Sequence, residues 1–153
     1  FKIPSSLQSG IKILISPSIM VNRDIVTEVL LDFDLSQSFV VNGPIDDINN
    51  YIFKPVIRAV NNTVAGSLVG KVTDSNKKAF MNVQVTVMNG NSVITSSYSD
   101  KNGDYKIIGL LEGTYTIKGI SSVETKTFNN IKIKKQEETN FSFSIKREEI
   151  EEH

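Results

Sequence analysis

The sequence predicts an all-β protein: an antiparallel β-sandwich over the second half, preceded by a smaller, partial β-domain with one short helical turn. Three observations lead there. Apolar and polar residues alternate with a period of two along most of the chain, and the helical period is nearly absent. Beyond Ser67 about seven short alternating runs succeed one another, with turn formers roughly every 8 to 12 residues, the spacing of a sandwich. A short polar stretch ending in glycine, "VNNTVAG" from Val60 to Gly66, separates the two patterns. The expected division is residues 1–66, residues 67–147 and a tail at 148–153.

In "GIKILIS", Ile11, Ile13 and Ile15 share one face of an expected strand. In "TEVLLDFD", Val29, Leu31 and Phe33 share one face, with Glu28, Leu30 and Asp32 opposite. "DLSQSFV" is the candidate helical turn: Asp34 can cap it, and Gln37 three residues on can complete a capping box. "NGPIDDINN" is rich in turn formers and reads as a surface loop. "NYIFKPVIRAV" reads as one strand, at an edge or bulged, because Pro55 has no amide hydrogen to donate.

The second half is more regular. "SLVGKVTD" is a strand ending in the turn "DSNKK". Val83, Val85 and Val87 share one face of "NVQVTVMNG", which ends in the hairpin signal Asn89-Gly90. "SVITSSYS" comes next, then "DYKIIGL", where Tyr105 and Ile107 alternate with Lys106. "LEGTYTIKGIS" turns Tyr115 and Ile117 inward. "NNIKIKK" alternates Ile131 and Ile133 with lysines, and "TNFSFSIK" alternates Phe141, Phe143 and Ile145 with Ser142 and Ser144. Aromatic and β-branched residues thus furnish the inner faces. The closing "KREEIEEH" lacks alternation and reads as a solvated end.

Composition excludes several functions. The 17 Lys and Arg equal the 17 Asp and Glu, so no net field draws nucleic acid or an anionic membrane. The absence of cysteine removes disulfides, thiol nucleophiles and Cys-ligated zinc. No apolar run approaches the ~20 residues that span a bilayer, so membrane attachment is expected only through an anchor outside this sequence. The chain opens at "FKIPSS" without Met or a visible signal peptide, and a targeting segment is expected upstream. The single histidine, His153, reads as the first residue of a purification tag.

"SDKNGDYKI" poses the main chemical question. Asp100, Asn102 and Asp104 stand at i, i+2 and i+4, the opening of a calcium loop. Such a loop needs Gly at its sixth position and Glu at its twelfth, where this chain has Tyr105 and Leu111. The glycine, Gly103, comes one place early, and strands rather than helices flank the run. The turn reading therefore takes precedence: Asn102-Gly103 supplies the positive φ of a hairpin turn and Asp100 accepts amide hydrogens at its start.

From about Ser67 to Lys146, "GKVTD", "AFMNVQVTV", "SYSDKNGDYKIIGLLEGTYTI" and "NFSFSI" resemble the carboxypeptidase regulatory-like modules. The resemblance implies a transthyretin-like Greek-key β-sandwich, with Gly113 permitting the turn after Leu110. It also implies a non-catalytic structural or accessory role. In the first 66 residues, "KIPSSLQSGIKI", "VTEVLLDFDLSQSFV" and "YIFKPVIRAV" resemble the C-terminal half of a domain of unknown function that occurs in bacterial envelope lipoproteins. That resemblance implies a cell-envelope or extracellular setting, with a lipid-bearing cysteine upstream. A half-domain leaves strand edges unpaired, so weak self-association through residues 1–66 is expected.

The remaining candidates each have a plainer reading. Asp32 and Asp34 could hold a cation, joined by Asp46 and Asp47, but Asp32 on a solvent face and Asp34 as a cap explain them. Lys126, Lys132, Lys134 and Lys135 could bind a polyanion, but lysines also blunt sheet edges against aggregation. Tyr51 with Phe53, or Tyr98, could form an aromatic platform for a sugar, against core packing for Phe53. Asn61-Asn62-Thr63 and Asn140-Phe141-Ser142 match the glycosylation triplet, accidentally so in a bacterial protein. No nucleophile elbow, phosphate loop or histidine base is present, so no enzyme and no cofactor are expected. The function expected is that of a stalk, spacer or adhesion module of a bacterial surface protein, or else of a glycan- or peptide-binding module.

Overall fold

The computed structural model describes residues 13, 18–21, 23, 26–42 and 50–148. The strand expected around Ile11 and Ile15, the loop with Asp46 and Asp47, and His153 lie outside the described residues. The chain divides into two compact units, Phe1–Asn61 and Asn62–His153. Both are built of strands.

The first unit contains β1 (Val29–Phe33), α1 (Leu35–Ser38), β2 (Phe39–Asn42), β3 (Asn50–Phe53) and β4 (Ile57–Asn61). β1 pairs antiparallel with β4, and β2 with β3. The single strand expected across Asn50–Val60 is thus two strands in two different sheets. Pro55 accounts for the break: it cannot donate to a ladder, and it lies between the end of β3 at Phe53 and the start of β4 at Ile57. Asp34 caps α1 as expected, its carboxylate accepting from the Ser36 amide at 3.0 Å and the Ser36 hydroxyl at 2.6 Å. The capping box differs from the expected one. The Gln37 amide donates to the Asp34 carboxylate at 2.7 Å, while the Asp34 backbone N–H goes to the Val56 carbonyl at 3.0 Å. Ser38 completes the knot, donating from its hydroxyl to Asp34 O and accepting the Val56 amide on it.

A turn of 3-10 helix at Asn62–Val64 opens the second unit. Its strands are β5 (Gly66–Thr73), β6 (Gln84–Asn89), β7 (Ser92–Tyr98), β8 (Asp104–Leu110), β9 (Gly113–Ile120), β10 (Thr125–Ile133), β11 (Glu138–Asn140) and β12 (Phe143–Ser144). One sheet runs β10-β9-β6-β7; in the other, β5 lies between β8 and the short strands β11 and β12. The inner faces are the alternating positions: Leu68, Val72, Val85, Val87, Ile117 and Ile145 are fully buried in one cluster. Each such side chain contributes about 1.5–3 kcal/mol of burial free energy. Phe128, Phe141 and Phe143 pack in tilted and edge-on pairs with ring centroids 5.1–6.0 Å apart, where β10 comes near β12. Tyr115, near the start of β9, donates its hydroxyl back to the Leu111 carbonyl at 2.7 Å, a tyrosine corner.

Two details differ from the antiparallel alternating scheme. β11 and β12 pair with β5 in parallel, Glu138 opposite Ser67 and Ser144 opposite Thr73. And the glycine that reshapes the chain near Leu110 is Gly109, at φ +68, rather than Gly113, which has no positive φ and room for a side chain. Gly109 sits at a register shift between β5 and β8, and the bulge turns Leu110 inward beside Ile107.

Candidate functional site

The turn between β7 and β8 carries Asp100, Asn102 and Asp104. It is not a hairpin, because its two strands belong to different sheets; it is an arch that crosses the core. The Asp100 carboxylate accepts the Asn102 amide at 2.8 Å and the Asp104 amide at 3.0 Å through one oxygen. Gly103 takes φ +77, and its carbonyl accepts the Val72 amide at 2.8 Å, which fastens the arch to β5. The Lys71 ammonium then reaches Asn102 O at 2.8 Å and the Asp104 carboxylate at 2.9 Å. A carbonyl and a carboxylate that resemble cation ligands are therefore already facing a resident positive charge.

The same turn occurs a second time. Asp74 accepts the Asn76 and Lys78 amides, both at 2.9 Å, as Asp100 accepts those of Asn102 and Asp104. Lys77 takes φ 62 where the arch has Gly103, and the Asp74 N–H bonds to Lys78 O as the Asp100 N–H bonds to Asp104 O. In that copy the fifth residue is Lys78 rather than a carboxylate. The loop shape thus forms without a third ligand, and both copies open on Asp-x-Asn. No group of three Asp, Glu or His placed to hold a metal ion occurs among the described residues.

The arch borders an open groove on the sandwich surface, lined among others by Lys71, Tyr98, Asp104, Lys106, Ser142 and Ser144. Tyr98 ends β7 with half its surface exposed. Tyr51 lies in β3 of the first unit, and its side chain falls outside the described residues. Phe53 packs on Phe39, ring centroids 5.2 Å apart, in keeping with a packing role.

Asp32 is not on a free solvent face. It is half-buried and paired at 2.9 Å with Arg58, its direct cross-strand neighbour, which neutralises it. Asp34 is buried and committed to its cap. Lys126 and Lys132 lie on β10, the outer strand of its sheet, while Lys134 and Lys135 fall in the turn just after it. Lys126 donates to Ser144 O at 2.7 Å, and Lys134 pairs with Glu137 at 3.5 Å. Asn61 ends β4 and Asn140 is exposed on β11.

Sequence reasoning missed two connecting groups. Ser99 is buried, donating to Phe80 O at 2.6 Å and accepting the Val83 amide at 3.0 Å. Arg147, read as belonging to a solvated tail, donates to Ala79 O at 2.8 Å and lies over the Phe80 ring. Neither shows in the alternation pattern, since the partners of both lie far away in sequence.

The model of the carboxypeptidase regulatory-like domain matches residues 67–146, and that of a domain of unknown function (DUF4382) matches residues 1–55. Solved structures with similarity include the minor pilin of Streptococcus agalactiae, at 16% identity over 68% of this chain and 55% of that one, with TM-score 0.43. Another is the TIE protein of Bacillus anthracis, at 15% identity over 81% and 27%, TM-score 0.44. A third is the major pilin subunit of Bacillus cereus, at 16% identity over 65% and 33%, TM-score 0.42. The chain spans 55%, 27% and 33% of the length of these three proteins, respectively. No curated protein matches it.

Proposed function

Because the chain belongs, over residues 67–146, to the carboxypeptidase regulatory-like domain family, we propose that it is a non-catalytic structural module of a bacterial cell-surface or secreted protein. In this reading it acts as a stalk, spacer or adhesion domain. One observation carries it. The chain comes into the sandwich at Gly66 and leaves beyond Ser144, at opposite ends of one parallel strand pair. With about 3.3 Å per residue along a strand, those ends are roughly 23 Å apart. The module thus adds length along the path of the chain, instead of returning it to its point of entry. Spin labels on Thr63→Cys and Glu148→Cys test this, since the sequence has no other cysteine. A single narrow distance is expected; a broad distribution would remove the spacer reading.

The envelope or the extracellular space is the setting this role requires. The likeness of the first residues to a lipoprotein-associated domain supports a lipid anchor in a longer precursor. Val29, Leu31 and Phe33 are about half exposed along one face of β1, which supports weak self-association through the first unit. A second reading, binding of a glycan or peptide, draws support from the open groove beside Tyr98. Glycan-array signals lost in Tyr98→Ala would favour it, and a blank array would count against it.

A further inference from the structure

We infer that the second unit is a shear clamp, built to resist tension applied between its two ends. The inference takes its biological sense from the spacer reading; its mechanics stand on strand geometry alone. β5 is the first strand of the sandwich and β12 the last, and they are parallel neighbours. Tension drawn through Gly66 pulls β5 one way along its axis. Tension drawn through the residues after Ser144 pulls β12 the opposite way. The two strands are therefore asked to slide past each other. In that direction the cross-links between them share the load at once, whereas in peeling they break in succession.

The cross-links run the length of the pair. Gln136 N donates to Ala65 O at 3.0 Å, Ser67 N to Glu137 O at 3.0 Å, Phe141 N to Val69 O at 2.8 Å, and Ile145 N to Thr73 O at 3.0 Å. In the gap between β11 and β12 a side chain takes over, Lys71 N donating to Ser142 Oγ at 2.9 Å. Gly70 makes this approach possible: a Cβ there would sit 1.8 Å from the Phe141 carbonyl oxygen.

The departing segment is also held from its other side. Lys126 of β10 donates to Ser144 O, the Ser121 hydroxyl donates to Lys146 O at 2.9 Å, and Lys146 N donates to the Glu124 carboxylate at 2.7 Å. Phe143 and Ile145 are buried in the core, so sliding also draws two large side chains out of their seats. Tyr105 donates its hydroxyl to the Phe141 carbonyl from β8. These groups converge on the last strand, where an outward pull on the chain is delivered.

Single-molecule force spectroscopy on the full chain tests the clamp by changing only the direction of pull. Handles on Thr63→Cys and Glu148→Cys load the β5–β12 pair in shear. Handles on Ser75→Cys and Glu148→Cys grip the adjacent ends of the same two strands and peel them apart. At one loading rate, the shear direction is expected to rupture at a force at least about twofold higher, rupture being governed by the unfolding barrier along the pulled direction. Ser142→Ala is expected to lower the shear force and leave the peeling force unchanged. Equal forces in the two directions, or a weaker shear direction, would overturn the clamp. That outcome would leave the spacer reading standing, because the spin-label distance tests length and rigidity without load.

Discussion

At the residue scale, the turn that carries Asp100, Asn102 and Asp104 is one that the chain builds twice. Two turns of the same backbone form, one with Asp104 in fifth place and one with Lys78, share the Asp-x-Asn start and the positive φ at the fourth residue. What both turns use is a first-position carboxylate holding two amides. Asp100→Ala is accordingly expected to cost about 1–2 kcal/mol in urea denaturation, because two amides lose their acceptor. Asp104→Ala removes a half-exposed ion pair with Lys71 and is expected to change stability by less than about 1 kcal/mol. Added calcium is expected to leave the melting temperature of the unaltered protein where it was. Comparable losses in the two variants, with a calcium-dependent rise in the unaltered protein, would instead make this an ion site.

At the element scale, Asp34 organises the first unit: its carboxylate holds Ser36 and Gln37, its carbonyl holds Ser38, and Ser38 in turn receives Val56. Asp34→Ala is expected to lower the stability of that unit by about 2 kcal/mol, the upper range for a cap; Asp34→Asn, which keeps an acceptor, should retain most of it. Local hydrogen-deuterium exchange across Leu35–Val56 reads the difference. That cap was legible in "DLSQ", as were the inner faces of β6, β8, β9 and β12, because periodicity and capping are local signals. The split at Pro55 was half legible: the missing donor was visible, but not that the chain would change sheets there. The parallel pairing of β11 and β12 was not legible, because alternation fixes which face is buried and says nothing about a neighbour's direction. For the same reason the groove beside Tyr98 could not be foreseen from the residues that line it, which come from strands far apart in the chain.

At the scale of the whole molecule, the two units have separate sheets and the sandwich has its own closed core. Residues 62–153 expressed alone are expected to keep the melting temperature of the sandwich transition, read by circular dichroism, and to stay monomeric. Light scattering of the full chain at high concentration is expected to show association that this shorter chain lacks. A monomeric full chain would dispose of the association through residues 1–66, and a collapse of the shorter chain would show that the sandwich depends on the first unit. The placement of the opening strand of the sandwich beside its closing strand has one more consequence, for biogenesis. A polypeptide leaving a ribosome or a translocon emerges from its N-terminal end. One flank of β5 then stays bare until β11 and β12 have appeared, and these most sequence-distant of its pairings come late. A prematurely terminated product keeps an open edge and an unfilled hollow where Phe143 and Ile145 belong, which is what quality-control proteases recognise. Closure of the sandwich therefore waits on the emergence of its own last strand.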